Sequence, residues 1–91
     1  MISTLEAREV ALSFLRNTKR KYIEVDSIEK IVLEPNSMIA NSKYIDKFDD
    51  IYSVGYGVYV GNEIVSYFIE ISARTGEIYG ILSPKIGRAS C

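Results

Sequence analysis

The chain has 91 residues, a length that supports one domain with one modest core. Its hydrophobic fraction of 47% and charged fraction of 25% exclude a disordered chain. A net charge of −1 lacks the cationic excess from which a dedicated nucleic-acid binder draws its affinity, and a single cysteine, Cys91, excludes an intrachain disulfide.

No run of apolar residues approaches the ~20 that a bilayer-spanning helix needs. Met1-Ile2-Ser3-Thr4-Leu5-Glu6 has neither a basic n-region nor an apolar h-region, so it does not read as a signal peptide. These features set the expectation of a cytoplasmic chain with no membrane partner. Histidine is absent, which removes the commonest general base and the commonest metal ligand. No catalytic residue, metal or cofactor is expected. The bias to Ile, Tyr, Lys and Glu, with no glutamine, suits a thermophile.

The first predicted element is a helix over residues 4–18. Ser3 and Glu6 form a capping-box pattern, and Ala7, Val10, Ala11, Phe14 and Leu15 recur on one face. Acidic residues near its start and basic residues near its end suit the helix dipole. In the next stretch Tyr22, Ile23 and Val25 are compatible with the start of a strand, while Asp26-Ser27-Ile28-Glu29 resembles a cap. A strand is expected over residues 28–34, then a turn at Pro35-Asn36-Ser37, a short return at Met38-Ile39-Ala40, and an exposed loop over 41–50.

Residues 51–60 and 63–73 both alternate apolar and polar or small positions. Gly61-Asn62 between them suits a two-residue hairpin loop. Pairing Val60 with Glu63 sets Val58 against Val65, Tyr56 against Tyr67, Val54 against Ile69 and Tyr52 against Ile71. Both apolar sets then share a face, and a slip of one residue would break that agreement. The same register puts Tyr59, Ile64 and Phe68 on the opposite face beside Gly55 and Gly57. There Phe68 either covers the bare backbone of Gly55 or leaves a shallow trough for a partner.

Arg74-Thr75-Gly76-Glu77 predicts a second turn, and residues 78–82 a last strand whose inward set is Ile78 and Leu82 or Tyr79 and Ile81. Pro84 ends it, and residues 85–91 read as a flexible C-terminal tail beyond a domain of 1–84. The expected fold is α+β, an N-terminal helix packed on one face of a three- to four-stranded antiparallel sheet, lying across Tyr52, Tyr56, Val58, Tyr67 and Ile69.

The run Ile71-Ser72-Ala73-Arg74-Thr75-Gly76-Glu77-Ile78, after an N-terminal helix and earlier strands, resembles the close of a PepSY-type domain. Ala73, Arg74, Thr75, Gly76 and Glu77 fit that pattern, and Ser72 stands where the family often has Asp. The specific part of the resemblance covers residues 64–80. It implies a cystatin-like helix-on-sheet fold and a non-catalytic binding or inhibitory role. The link of PepSY domains to secreted peptidases and membrane sensors sits poorly with a chain that shows no signal peptide or spanning segment.

Four groups carry possible chemistry. Asp46, Asp49 and Asp50 offer oxygens to a hard cation, but their spacing matches no calcium loop, and a solvated loop is the expectation. Arg16, Lys19, Arg20 and Lys21 form a candidate basic patch for phosphates, weighed against a helix end that satisfies its own dipole. Cys91 has no base to activate it and reads as a bystander thiol. Tyr52, Tyr56 and Tyr67 read as core packing rather than a pocket. The leading expectation is therefore a small protein-interaction or regulatory module, inhibitor-like, with Tyr59, Ile64, Phe68, Gly55 and Gly57 as its interaction face and a protein partner or a second copy as its ligand. The alternative, less favoured, is a nucleic-acid-associated protein that uses the basic patch.

Overall fold

In the computed structural model, residues 1–39 and 46–82 are described. The expectations for the 85–91 tail, Cys91, Pro84 and the first half of the 41–50 loop fall outside them.

Helix α1 spans Thr4–Asn17. At its start the Glu6 N–H donates to Ser3 Oγ at 3.1 Å, and the Ser3 N–H donates to Glu6 Oε1 at 2.9 Å, which closes the expected capping box. At its end Lys19 takes a left-handed φ of 55°, and the Arg20 N–H reaches back to the Leu15 carbonyl at 2.9 Å. Ala7, Ala11 and Leu15 are fully buried on the side facing the sheet, with Val10 and Phe14 flanking them.

The sheet has five antiparallel strands: β1 (Glu24–Val25), β2 (Val32–Met38), β3 (Phe48–Val60), β4 (Glu63–Ser72) and β5 (Ile78–Leu82). The expectation of three or four is exceeded because β1 and β2 share one edge of the long β3. β4 lines its other edge, and β5 lies outside β4. The β3–β4 register runs from Tyr52↔Ile71 to Val60↔Glu63, as the loop and the alternation require, and extends to Ile51↔Ser72. Gly61 holds the positive φ of 64° that this tight turn demands. The helix-side core joins Ala7, Ala11 and Leu15 to Tyr52, Val54, Tyr56, Ile69, Ile71 and Ala73, with Ile31 closing one side. The Tyr56 and Tyr67 rings stack with centroids 5.8 Å apart, and Tyr52 donates its hydroxyl to the Ile2 carbonyl at 3.0 Å.

Several expectations are corrected. The strand expected over 28–34 begins only at Val32, after a 3-10 turn at Ile28–Lys30. Pro35-Asn36-Ser37 does not end the strand. It forms a bulge inside β2, between Glu34 and Ser37, where Asn36 takes a φ of 47° and its N–H is held by Asp50 at 2.8 Å. Of the expected 41–50 loop, Phe48–Asp50 is strand. Neither inward set foreseen for β5 occurs whole. A bulge opposite Glu70 and Ile71 lets both Ile78 and Ile81 pack against the helix-side core and frees Tyr79 for the other face. That other face is not bare, because Ile39, Ile51 and Tyr79 form a second, smaller core there.

Candidate functional site

The outer sheet face takes alternate residues of β3 and β4, and its two ends differ. At the hairpin end, Tyr59 is 68% exposed, Ile64 54% and Phe68 38%, so the expected interaction face is open to solvent. Gly55 and Gly57 form its floor. A Cβ placed on Gly55 would lie 2.7 Å from Asp26 Oδ2 and 3.1 Å from Phe68 Cε1. Phe68 therefore does lie against the bare backbone of Gly55. Beside it a depression of about 160 Å³ remains, lined by Glu24, Asp26, Lys30, Ile64, Ser66 and Phe68 over the two glycines.

Asp26 explains why Gly55 is glycine. β1 ends at Val25 and β2 begins at Val32, which leaves a gap along the edge of β3. The Gly55 N–H donates to Asp26 Oδ2 at 3.0 Å, and the Asp26 N–H donates to the Gly55 carbonyl at 2.8 Å, so one residue completes the ladder from side chain and backbone together. Arg8 Nε donates to the Asp26 carbonyl at 2.9 Å and ties this junction to α1.

The far end is a closed polar network. Asp49 is only 5% exposed. Its carboxylate accepts from Ser72 Oγ at 2.7 Å, Tyr79 Oη at 2.6 Å, Arg74 Nε at 2.6 Å and the Asp50 N–H at 2.8 Å. Burial alone would raise the Asp49 carboxyl, but the bonds from Arg74, Tyr79, Ser72 and Asp50 outweigh it and hold the group far below the usual carboxylate range. Burial and the same carboxylate push the Tyr79 phenol up. Ser72 Oγ also accepts the Arg74 and Thr75 N–H groups at 3.2 Å each, so the position that departs from the PepSY pattern caps the turn and anchors it to β3. Gly76 has the expected left-handed conformation, at a φ of 81°. Every acceptor of Asp49 is engaged in holding strands and turn together, which makes it a fastener rather than a reactive group.

The remaining expected sites are not brought together. Asp49 and Asp50 point to opposite faces of β3, which corrects the solvated-loop expectation for Asp49 and separates it from Asp50, while Asp46 is exposed. Arg16, Lys19, Arg20 and Lys21 are all exposed around the end of α1. Arg20 leans back over α1, with its guanidinium 5.9 Å from the Phe14 ring centroid. Tyr52 and Tyr56 are core residues, at 6% and 5% exposure. Sequence reasoning passed over Glu24, read Asp26 only as part of a cap, and placed Asp49 in a solvated loop. The first two flank the inward Val25 at period-two spacing, a pattern too short to stand out in sequence.

No family model, no curated protein and no solved structure matches this chain. Among the described residues no helix is long and apolar enough to cross a membrane.

Proposed function

We propose that this chain is a non-catalytic protein-interaction module, regulatory or inhibitor-like and PepSY-like in type, that works in the cytoplasm without a cofactor. Its recognition surface is the hairpin end of the outer sheet face, and its ligand is a partner protein or a second copy. One observation carries the reading: Tyr59, Ile64 and Phe68 stand exposed together on a fully paired two-stranded ladder. Neighbouring apolar side chains on a rigid ladder supply binding area without a folding cost.

The test uses the Tyr59→Ser/Ile64→Ser double variant. Sedimentation at high concentration and affinity capture, followed by reconstitution with the purified captured protein, are compared with the unmodified chain. The expected result is at least about 10-fold weaker association in the variant, with an unchanged circular dichroism spectrum. Equal association in both proteins overturns the reading.

A further inference from the structure

The depression on the outer face is small. Pockets for metabolites and drug-sized ligands enclose about 300–1,000 Å³. About 160 Å³ matches a single long side chain instead. Its floor is the backbone of Gly55 and Gly57, with the Asp26 carboxylate and the Phe68 ring closing over Gly55 and Ile64 lying beside Gly57. Its charge is also one-sided: Glu24 and Asp26 against Lys30. Among the described residues neither Glu24 nor Lys30 forms an ion pair, and Glu24 holds its place in β1 through its backbone pairing with Gly57 rather than through its carboxylate. Asp26 spends one of its two carboxylate oxygens on the Gly55 N–H. An aromatic ring, Phe68, forms one wall with Ile64 beside it, and exposed Tyr59 is the cross-strand partner of Ile64.

We infer that this depression receives a lysine or arginine side chain of the protein segment that docks on the hairpin face, its charged head meeting Glu24 and Asp26 and its stem lying along Phe68 and Ile64. The inference deepens the proposed function and rests on it. The chemistry is complementary at each point: carboxylates for the cation, an aromatic wall for cation–π contact, and apolar surface for the methylene stem. A guanidinium suits the site better than an ammonium, because its planar face stacks on a ring while its edge meets a carboxylate.

The test is an amide-resolved NMR titration of the whole chain with N-acetyl-arginine amide, and in parallel with N-acetyl-norleucine amide as a neutral probe of similar length. The expected result is saturable shifts at Gly55, Gly57 and Ser66 with arginine only, at a dissociation constant on the order of 10 mM for so small a probe. Glu24→Gln alone weakens them several-fold. Glu24→Gln/Asp26→Asn weakens them further, while the Asn carbonyl still accepts the Gly55 N–H. Shifts of equal size with norleucine, no localised shifts, or unchanged affinity in the double variant each overturn the inference. It fails separately from the proposed function if Tyr59→Ser/Ile64→Ser loses partner association while Glu24→Gln/Asp26→Asn keeps it in full.

Discussion

Along the outer face of β3 and β4, Gly57, Tyr59, Ile64 and Ser66 border solvent or an open depression, whereas Asp49, Ile51, Glu70 and Ser72 further along the same two strands are buried. The strands, the register and the alternation are common to both ends. What differs is the third element that reaches each end. The β5 bulge delivers Tyr79 to the far end, and Ile39 beyond β2 joins it there. The hairpin end receives Glu24, Asp26 and Lys30 from the stretch after α1, and these leave a depression open. A strand's own pattern fixes which residues share a face. Its neighbours' registers decide whether that face is covered.

The largest expected break of this contrast is Asp49→Ala. It leaves the Ser72 and Tyr79 hydroxyls and the Arg74 guanidinium without their shared acceptor and lowers stability by about 2–4 kcal/mol. Urea unfolding measures it. A loss below about 1 kcal/mol would show that the network fastens nothing.

Acid sharpens the same contrast. The Asp49 carboxyl titrates lower in the folded chain than in the unfolded one. Its contribution is therefore complete above the unfolded value near 3.9 and is lost as pH falls below it toward the folded value. Unfolding midpoints at pH 7 and pH 3 should differ more in the unmodified protein than in Asp49→Asn. Equal differences would assign the acid loss to other carboxylates.

Gly55→Ala comes next. Its Cβ meets Asp26 Oδ2 at 2.7 Å, so the carboxylate is displaced from the Gly55 N–H, at a cost of about 1–2 kcal/mol. Thermal unfolding reads it as a fall of roughly 4–16 °C. Unchanged stability would mean that the edge gap closes without Asp26.

The smallest effect is expected at the open end. Tyr59→Ser or Ile64→Ser alone should alter stability by no more than about 0.5 kcal/mol, because both side chains are already more than half exposed. A loss of 2 kcal/mol or more in denaturant titration would reveal a hidden structural role there.

The β3–β4 register was legible in the sequence because two independent signals agree on it: Gly61-Asn62 sets the loop length, and alternation sets the face. The helix was legible because its cap and stripe are local. Asp49 was not. Three aspartates within five residues, beside Lys47 and Asn41, resemble a hydrated loop. The burial of Asp49 is created by Ser72, Arg74 and Tyr79, which lie 23–30 positions away. The one local signal was that Phe48 extends the alternation of Tyr52 and Val54 back past Asp50. The β2 bulge was hidden for a different reason: Pro35-Asn36 has turn chemistry, and only the pairing partner shows whether such residues end a strand or kink it. Of the candidate face, the glycine floor and the exposed apolar residues were readable, while the acidic wall came from a two-residue strand too short to announce itself.

The two-residue loop at Gly61-Asn62 also bears on how the molecule assembles. β2, β3, β4 and β5 pair strictly in chain order, as a meander, and β1 alone reaches past its successor to find its place. The β3–β4 ladder zips outward from neighbours in sequence, so most of the sheet forms at a small loop-closure cost. What remains is the docking of α1 and the closing of the gap by Asp26, which join the beginning of the chain to its middle. That seam spans long separations in sequence: the Ile2 N–H meets the Ala73 carbonyl at 2.7 Å and the Ile2 carbonyl meets the Tyr52 hydroxyl at 3.0 Å, so seating α1 carries a larger loop-closure cost than closing the hairpin.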